Sequence, residues 1–266
     1  MVEDKNNGNL DMFLYSHIPF KPIVTNPAYK VLTCSKDAFD TELKILRDYE
    51  GDNISDKNLM YNEYTGFYWV WKNYPLKKYI GLNHYRRIYT WLDNIPNMDD
   101  MFEFFDIVLN KPVIFKDVLH NDYDNYTYYS FWHYHKDFEL LEEIFREKYQ
   151  NYMDGFEKMK NADYLYNSSM FIMKKETFYD YCNFIFPLLD EFRERRGFDT
   201  NEDAIKWVES NKEHYIKPYL PYYTVNMQAR IIGYIAERAL NAYLMNGDNS
   251  LESRAAIVDW AMIQQY

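Results

Sequence analysis

Short apolar runs alternate with longer amphipathic stretches along this chain. DMFLYS (11–16) and YKVLTC (29–34) are compact enough for buried strands, with the loop HIPFKP after the first. Beyond Asn58, apolar residues recur at Phe67, Val70, Trp71 and Tyr74. That i, i+3, i+4, i+7 spacing predicts a buried helix face, which Pro75 ends. KKYIGLNHYRR then reads as a strand, MDDMFEFF as a short helix and DIVLNKP as a further strand. FELLEEIFREKY (138–149) is amphipathic through Phe138, Leu141, Ile144 and Phe145. YLYNSSMFIMKK (164–175) is expected as one strand entering the helix ETFYDYCNFIFPLLDEFRER, which Pro187 should kink. MQARIIGYIAERALNAYLMNG is the last strong helix, with Gly247 just past its end. The closing SLESRAAIVDWAMIQQY is expected to be helical, with Ser250 as N-cap. Strands alternating with helices predict an α/β fold with a mainly parallel sheet. We read one domain over 11–245 and a helical tail over 246–266 packed on it.

Composition narrows the function. A chain of 266 residues with 47% hydrophobic content can bury a sizeable core. Its aromatic share is high, with 28 Tyr and 18 Phe. Tyrosine presents a flat apolar body and a hydroxyl, which suits stacking on sugars or bases, but a compositional bias toward Tyr, Phe, Asn, Lys and Ile gives the same count. Thirty basic against 41 acidic residues argue against general nucleic-acid binding. A local basic cluster can still bind one small anion. Two cysteines, Cys34 and Cys182, make neither a disulfide framework nor a zinc set, so a reducing compartment fits. No apolar run approaches the roughly 18 residues of a membrane span, and Met1 to Leu10 is too polar for a signal peptide. A cytoplasmic protein is expected.

The sharpest basic cluster lies at the end of an apolar strand, as His84, Arg86 and Arg87. Ligands of open α/β sheets bind beyond the carboxyl ends of strands. Guanidinium forks match phosphate oxygens in pairs, so a nucleoside diphosphate is a natural guest. The alternative is a salt-bridged strand border. Continued alternation would send His84 and Arg86 to one face and Arg87 to the other.

Further residues carry the resemblance that decides between these readings. Glu63, Thr65, Tyr68, Trp69, Trp71, Lys72 and Asn73 are followed by Ile80, Gly81, Leu82, His84, Tyr85, Arg86 and Arg87. The pair of segments resembles the hallmark E-x-T-x-x-Y-W-x-W-K-N and I-G-L-x-H-Y-R-R of the domain of unknown function 4422 family. That family is common in capsular and exopolysaccharide gene clusters and is regarded as glycosyltransferase-like. YSHIPF with His17, HKDF with His135 and Asp137, YNSSMFIMKK and GYIAERALNAYL resemble later family segments in order, from about residue 11 to 245. The resemblance implies a single GT-A-like (Rossmann-like) domain using a nucleotide-sugar donor, with a UDP-sugar expected. It departs at Ile18, where the family has Lys, and around Thr33 and Cys34, where it has a small residue.

Glycosyl transfer needs a counter-charge for the leaving diphosphate, a cradle for the sugar and, for inversion, a base. The first is often a metal held by Asp-x-Asp, but here NHYRR stands at the strand end. Arg86 and Arg87, helped by His84, are expected to replace some or all of that metal's charge, and dependence on Mn or Mg is left open. Asp122-Tyr123-Asp124 is the fallback metal site, though a solvated loop is its ordinary reading. The donor set is completed by His17, Glu63, Thr65, Asn167 and Arg238, with Asn167 at the mouth of an apolar strand. Asp137 and Glu237 are the candidate bases, Asp163 a third, and Glu237 with Arg238 also reads as an organising ion pair. His135 is expected on the acceptor side. His133 and His135 would share a face on a strand, as in a hydrolase metal site with His120, but would diverge by about 200° on a helix. A glycan or lipid-linked glycan acceptor is the expected partner, presented at the inner membrane face. The rival readings are a non-catalytic carbohydrate-binding module and a His/Asp metal hydrolase.

Overall fold

The computed structural model describes residues 8–262 except 92, 221 and 222. Most of the polar Met1–Leu10 start, and the end of the tail from 263, therefore lie outside the described residues. Four parallel strands form one wing of the sheet: β1 (Leu10–Ser16), β2 (Tyr29–Thr33), β3 (Lys44–Arg47) and β4 (Tyr79–His84). β5 (Arg87–Tyr89) folds back antiparallel on β4. β6 (Ile107–Asn110) lies further out, and β7 (Val113–Ile114) pairs with β8 (Tyr164–Leu165) in a separate two-stranded ribbon. β9 (Phe171–Lys174) runs antiparallel between β4 and β6. β10 (Ala255–Val258) extends the sheet parallel to β6, and β11 (Trp260–Met262) pairs with β5. The order is β10-β6-β9-β4-β1-β2-β3. It is an α/β fold with a central, mostly parallel sheet flanked by helices, GT-A-like in class.

All seven residues of β1 are buried, because both faces of the sheet are covered. Alternation sends Phe13 and Tyr15 toward the helices Tyr64–Asn73 and Lys175–Arg196, and Met12 and Leu14 toward Tyr29, Tyr85 and Phe102. Asp11, buried in the same strand, is held by Lys30 Nζ at 2.6 Å. Helix Tyr64–Asn73 reaches the sheet closely because Gly66 has no Cβ to collide with Tyr15 and Leu32. Much of the tyrosine is core: Tyr29, Tyr61, Tyr64, Tyr79, Tyr89, Tyr129, Tyr181 and Tyr215 are fully buried. Tyr64 hydroxyl meets Tyr181 hydroxyl at 2.9 Å, so those two polar tips satisfy each other inside.

Three expectations need correction. The segment 164–175 is not one strand. β8 and β9 belong to different sheets, separated at Ser168 and Ser169, whose φ of 65° and 50° turn the chain through the left-handed region. The last helix is broken: Val225–Gln228 stops, and Ile231–Leu244 begins after Arg230. The tail is not helical. Ser250 Oγ does accept the Ser253 N–H at 3.2 Å, but it caps only the 3₁₀ turn Glu252–Arg254 before β10 and β11. Arg254 Nη1 lies 2.8 Å from Asp106 Oδ2, and the Asp106 N–H donates to the Arg254 carbonyl. Those contacts fix the register of AAIV against the open edge of β6. Pairing there overrides local helix propensity, so β10 and β11 belong to the central sheet. Helix Lys175–Arg196 runs through Pro187.

Candidate donor and acceptor site

A cavity of about 360 Å³ opens beyond the carboxyl ends of β1 and β4. Its basic wall comes from the β4–β5 corner. His84 pairs with Arg87 across that corner, so Tyr85 and Arg86 form a tight turn rather than continuing the strand. Tyr85 is buried, donates its N–H to the Tyr15 carbonyl and packs on Phe20, His17 and His84. With Tyr85 anchored inward, Arg86 and Arg87 both line the cavity, against the expectation that alternation would part them. Arg230, in the break before helix Ile231–Leu244, joins them. Among the described residues none of these three guanidiniums forms an ion pair, and Arg87 Nε is buried without a hydrogen-bond partner.

The imidazoles there are neutral at neutral pH. Burial, then Arg87 and Arg86, pushes His84 down to about 3. His17 is lowered by burial, then by Arg230 and Arg86. The Arg86 N–H points to His84 Nδ1 at 3.5 Å, a geometry that suits the tautomer protonated at Nε2.

Aromatic side chains line the cavity as well. Tyr128, Trp132, Tyr223 and Tyr234 line it, and Trp132 stacks on Tyr223 at 5.6 Å between ring centres. His133 stacks on Tyr234 at 4.0 Å and its Nδ1 meets Gln228 Oε1 at 2.9 Å. Burial and Arg238 hold it down to about 3, so it is a satisfied core histidine.

Asn167, Ser168, Glu63 and Glu237 also line the cavity. The Ser168–Ser169 bend is held on both sides: the Ser168 N–H donates to Glu237 Oε1 at 2.8 Å, and Ser169 Oγ meets Tyr64 hydroxyl at 3.0 Å. Asn241 clamps Tyr166 through both its N–H and its carbonyl. Glu237 Oε2 accepts from Arg238 Nη1 at 2.9 Å, and Arg238 is buried over the Tyr129 ring. Glu63 sits just after Asn62, whose φ is 53°, at the start of helix Tyr64–Asn73. Gly233 lets the last long helix approach Asn62, since a Cβ there would strike its amide.

Of the residues read from the sequence, His17, Glu63, His84, Arg86, Arg87, Asn167, Glu237 and Arg238 are gathered around this one cavity. Thr65 is fully buried one layer below, hydrogen-bonded to Asp48 Oδ2 at 2.7 Å and to Tyr15. Asp137 is also outside the cavity lining. It is fully buried, 2.9 Å from Arg196 Nη2 and accepting from Tyr215 at 2.6 Å. His135 opens helix His135–Lys148, half-buried beside Tyr134, and Asp163 is exposed; neither lines the cavity. Asp122 pairs with Lys116 at 2.8 Å and Asp124 caps helix Asn125–Trp132 through the Thr127 N–H. His120 lies exposed at a left-handed helix end. Among the described residues no three His, Cys, Asp or Glu side chains form a metal-binding group, so His120, His133 and His135 are not brought together. Arg230, Asn58, Asn62, Trp132, Tyr223 and Tyr234 line the cavity without having been anticipated.

The cavity past the strand ends of this α/β sheet thus brings unpaired guanidiniums and aromatic rings to one place. Residues 11–209 match the model of the family described as Domain of unknown function (DUF4422), and the chain belongs to that family. Among solved structures it is similar to the apo form of the WbbM bifunctional glycosyltransferase, with a TM-score of 0.73 and 23% identity. The likeness covers 97% of this chain and 46% of that one, so this chain spans about half of its length. No curated protein matches in sequence. Among the described residues no helix is long and apolar enough to cross a membrane.

Proposed function

We propose that this chain is a glycosyltransferase moving a hexosyl unit from a nucleotide-diphosphate sugar to a glycan or lipid-linked glycan. The observation that carries the reading is the set of unpaired guanidiniums, Arg86, Arg87 and Arg230, around one cavity in a chain of net charge −11. Cations left without carboxylates in an acidic protein suit a ligand that brings its own negative charge. The shared fold with a glycosyltransferase over nearly the whole chain supports the same class.

In this reading Arg86 and Arg87 hold the diphosphate and balance charge on the leaving group. The neutral His84 and His17 add imidazole hydrogen bonds without competing for carboxylates. A divalent cation fits poorly beside them, because guanidiniums occupy the strand end and Glu237 is already bound to Arg238 and Ser168. Asn167 faces the sugar, and Trp132 and Tyr223 offer a stacking surface to the acceptor. UDP is the expected nucleotide. The cytoplasmic face of a membrane, where a lipid-linked acceptor could be reached by peripheral contact, is the proposed working place.

Thermal-shift screening against nucleotide sugars, with and without manganese, tests donor class and metal need together. Calorimetry of the preferred nucleotide against the Arg86→Ala, Arg87→Ala double variant should show at least about 100-fold weaker binding. Unchanged affinity refutes the assigned role. The aromatic wall alone would favour a carbohydrate-binding module, which predicts glycan binding without any nucleotide affinity.

A further inference from the structure

Two carboxylates share the cavity, and their surroundings differ. Both oxygens of Glu237 are engaged, one by the Ser168 N–H and the other by Arg238. That carboxylate supports the bend carrying Asn167 and holds a buried guanidinium in place. Glu63 lines the same cavity, yet its carboxyl engages only its own backbone N–H among the described residues. It does not cap the helix it precedes. Its backbone, by contrast, is fixed: the Glu63 carbonyl accepts the Phe67 N–H at 3.1 Å, and the buried Tyr64 and Thr65 follow directly. The result is a firmly mounted carboxylate with free lone pairs, in the same cavity as Arg86, Arg87 and Trp132.

We propose that Glu63 is the general base that takes the proton from the acceptor hydroxyl. This deepens the glycosyltransferase reading and rests on it. The acceptor oxygen uses a lone pair to form the new bond to the anomeric carbon, while its proton moves to the Glu63 carboxylate. The bond from that carbon to the diphosphate oxygen breaks, and its electron pair leaves with the nucleoside diphosphate beside Arg86 and Arg87. Glu63 then releases the proton to water. Attack opposite the leaving group inverts the anomeric configuration.

The groups facing Glu63 suit the task. Glu237 and Arg238 face the cavity from helix Ile231–Leu244, Arg230 from the break before it, Arg87 from β5 and His84 from β4, with Asn62 and Tyr64 on its own segment. Burial, reinforced by the charge of Glu237, raises the Glu63 carboxyl to about 7, against the downward pull of its own N–H, Arg230 and Arg87. A base with that value is ionised in about half the molecules at neutral pH and has real proton affinity. The same environment leaves Glu237 committed elsewhere, so the two carboxylates divide positioning from proton transfer.

The test is Glu63→Gln, measured by nucleotide calorimetry, steady-state rates across pH and the anomeric configuration of the product. The expected result is nucleotide affinity within about threefold of wild type and kcat lower by about 10²–10⁴-fold. Wild-type kcat/KM should rise on an acid limb centred near pH 7, absent from the residual activity of the variant. Glu63→Asp, which keeps a carboxylate, should be slower than wild type but retain that limb. A Gln variant within tenfold of wild-type kcat, an acid limb that persists in it, lost nucleotide affinity or a retained configuration each overturns the assignment. Absence of nucleotide binding and transfer in the wild type instead removes the glycosyltransferase reading itself, and this inference with it.

Discussion

Two pairs of adjacent arginines, Arg86-Arg87 and Arg195-Arg196, look alike on paper and live in opposite surroundings. Arg195 meets Glu143, Glu147 and Glu191 at 3.1, 2.5 and 2.7 Å. Arg196 lies 2.9 Å from the buried Asp137 and donates to the Lys136 carbonyl. Both stand in the last turn of helix Lys175–Arg196, where positive charge also suits the helix dipole. At the β4–β5 corner no carboxylate of the described residues pairs with Arg86 or Arg87, although the chain carries 41 acidic residues. The first pair ties helices together. The second keeps its positive field in a concave site, where low-dielectric walls concentrate it. A doublet of arginines thus says nothing by itself, and the neighbours decide whether its charge is structural or available.

The largest effect expected from this contrast is on stability at the closed pair. Arg196→Ala strands Asp137 in the core, so urea unfolding should show a loss of about 3–5 kcal/mol. Its pH dependence carries a definite sign. Burial already raises Asp137 to about 6, above an ordinary carboxylate, despite Arg196 and Tyr215 pulling it down. The ionised form is therefore the disfavoured one, and stability is lost as pH rises through that value. The deficit of the variant should be greatest above pH 6 and shrink toward pH 4. A deficit that grows on acidification contradicts the pairing.

Next in size is the binding contrast. Loss of both Arg86 and Arg87 should weaken nucleotide binding by about 3 kcal/mol or more, the equivalent of about 100-fold. Arg195→Ala should leave that affinity unchanged and lower stability by no more than about 1 kcal/mol, since two of its three acidic partners, Glu143 and Glu147, are more than half exposed. Equal losses of affinity in both variants would mean that overall charge, not the corner, attracts the ligand.

How much of this was legible in the sequence follows from the range of the interactions involved. β1, β2, β4 and β6 were readable because their burial is written in local apolar runs, as was the helix stopped by Pro75. The tail was misread because its partner is distant: β10 pairs with β6 about 150 positions away in sequence, and Arg254 meets Asp106 beside that ladder. The break at Asn167-Ser168-Ser169 escaped for a similar reason: nothing nearby signals that Ser168 will donate to Glu237 on the last long helix. The family motif found eight of the cavity residues, but it cannot separate a side chain that faces the cavity from one that supports it. Thr65 lies one layer beneath Tyr15, and the two belong to one hydrogen-bonded cluster with Asp48 and Asn58. Arg230 was hidden inside an apparent helix. A charged residue amid MQARIIGY, at a position where the apolar stripe leaves no room for it, was the available clue.

The smallest effect probes the reach of the open cluster's field. Arg230 lowers the Glu63 carboxyl and, through like charge, lowers His17 and His84 as well. Arg230→Ala should therefore move the acid limb of kcat/KM upward, by about one pH unit or less. The direction follows because removing a nearby cation makes the Glu63 anion harder to form, so a higher pH is needed to ionise it. The histidines should move the same way, toward their ordinary range, and their imidazole proton resonances followed across pH would report it independently of turnover. Arg195→Ala, one helix end away and already neutralised by three glutamates, should shift none of these titrations. A downward shift with Arg230→Ala, or equal shifts in both variants, would show that the unpaired guanidiniums do not set the electrostatics of the cavity.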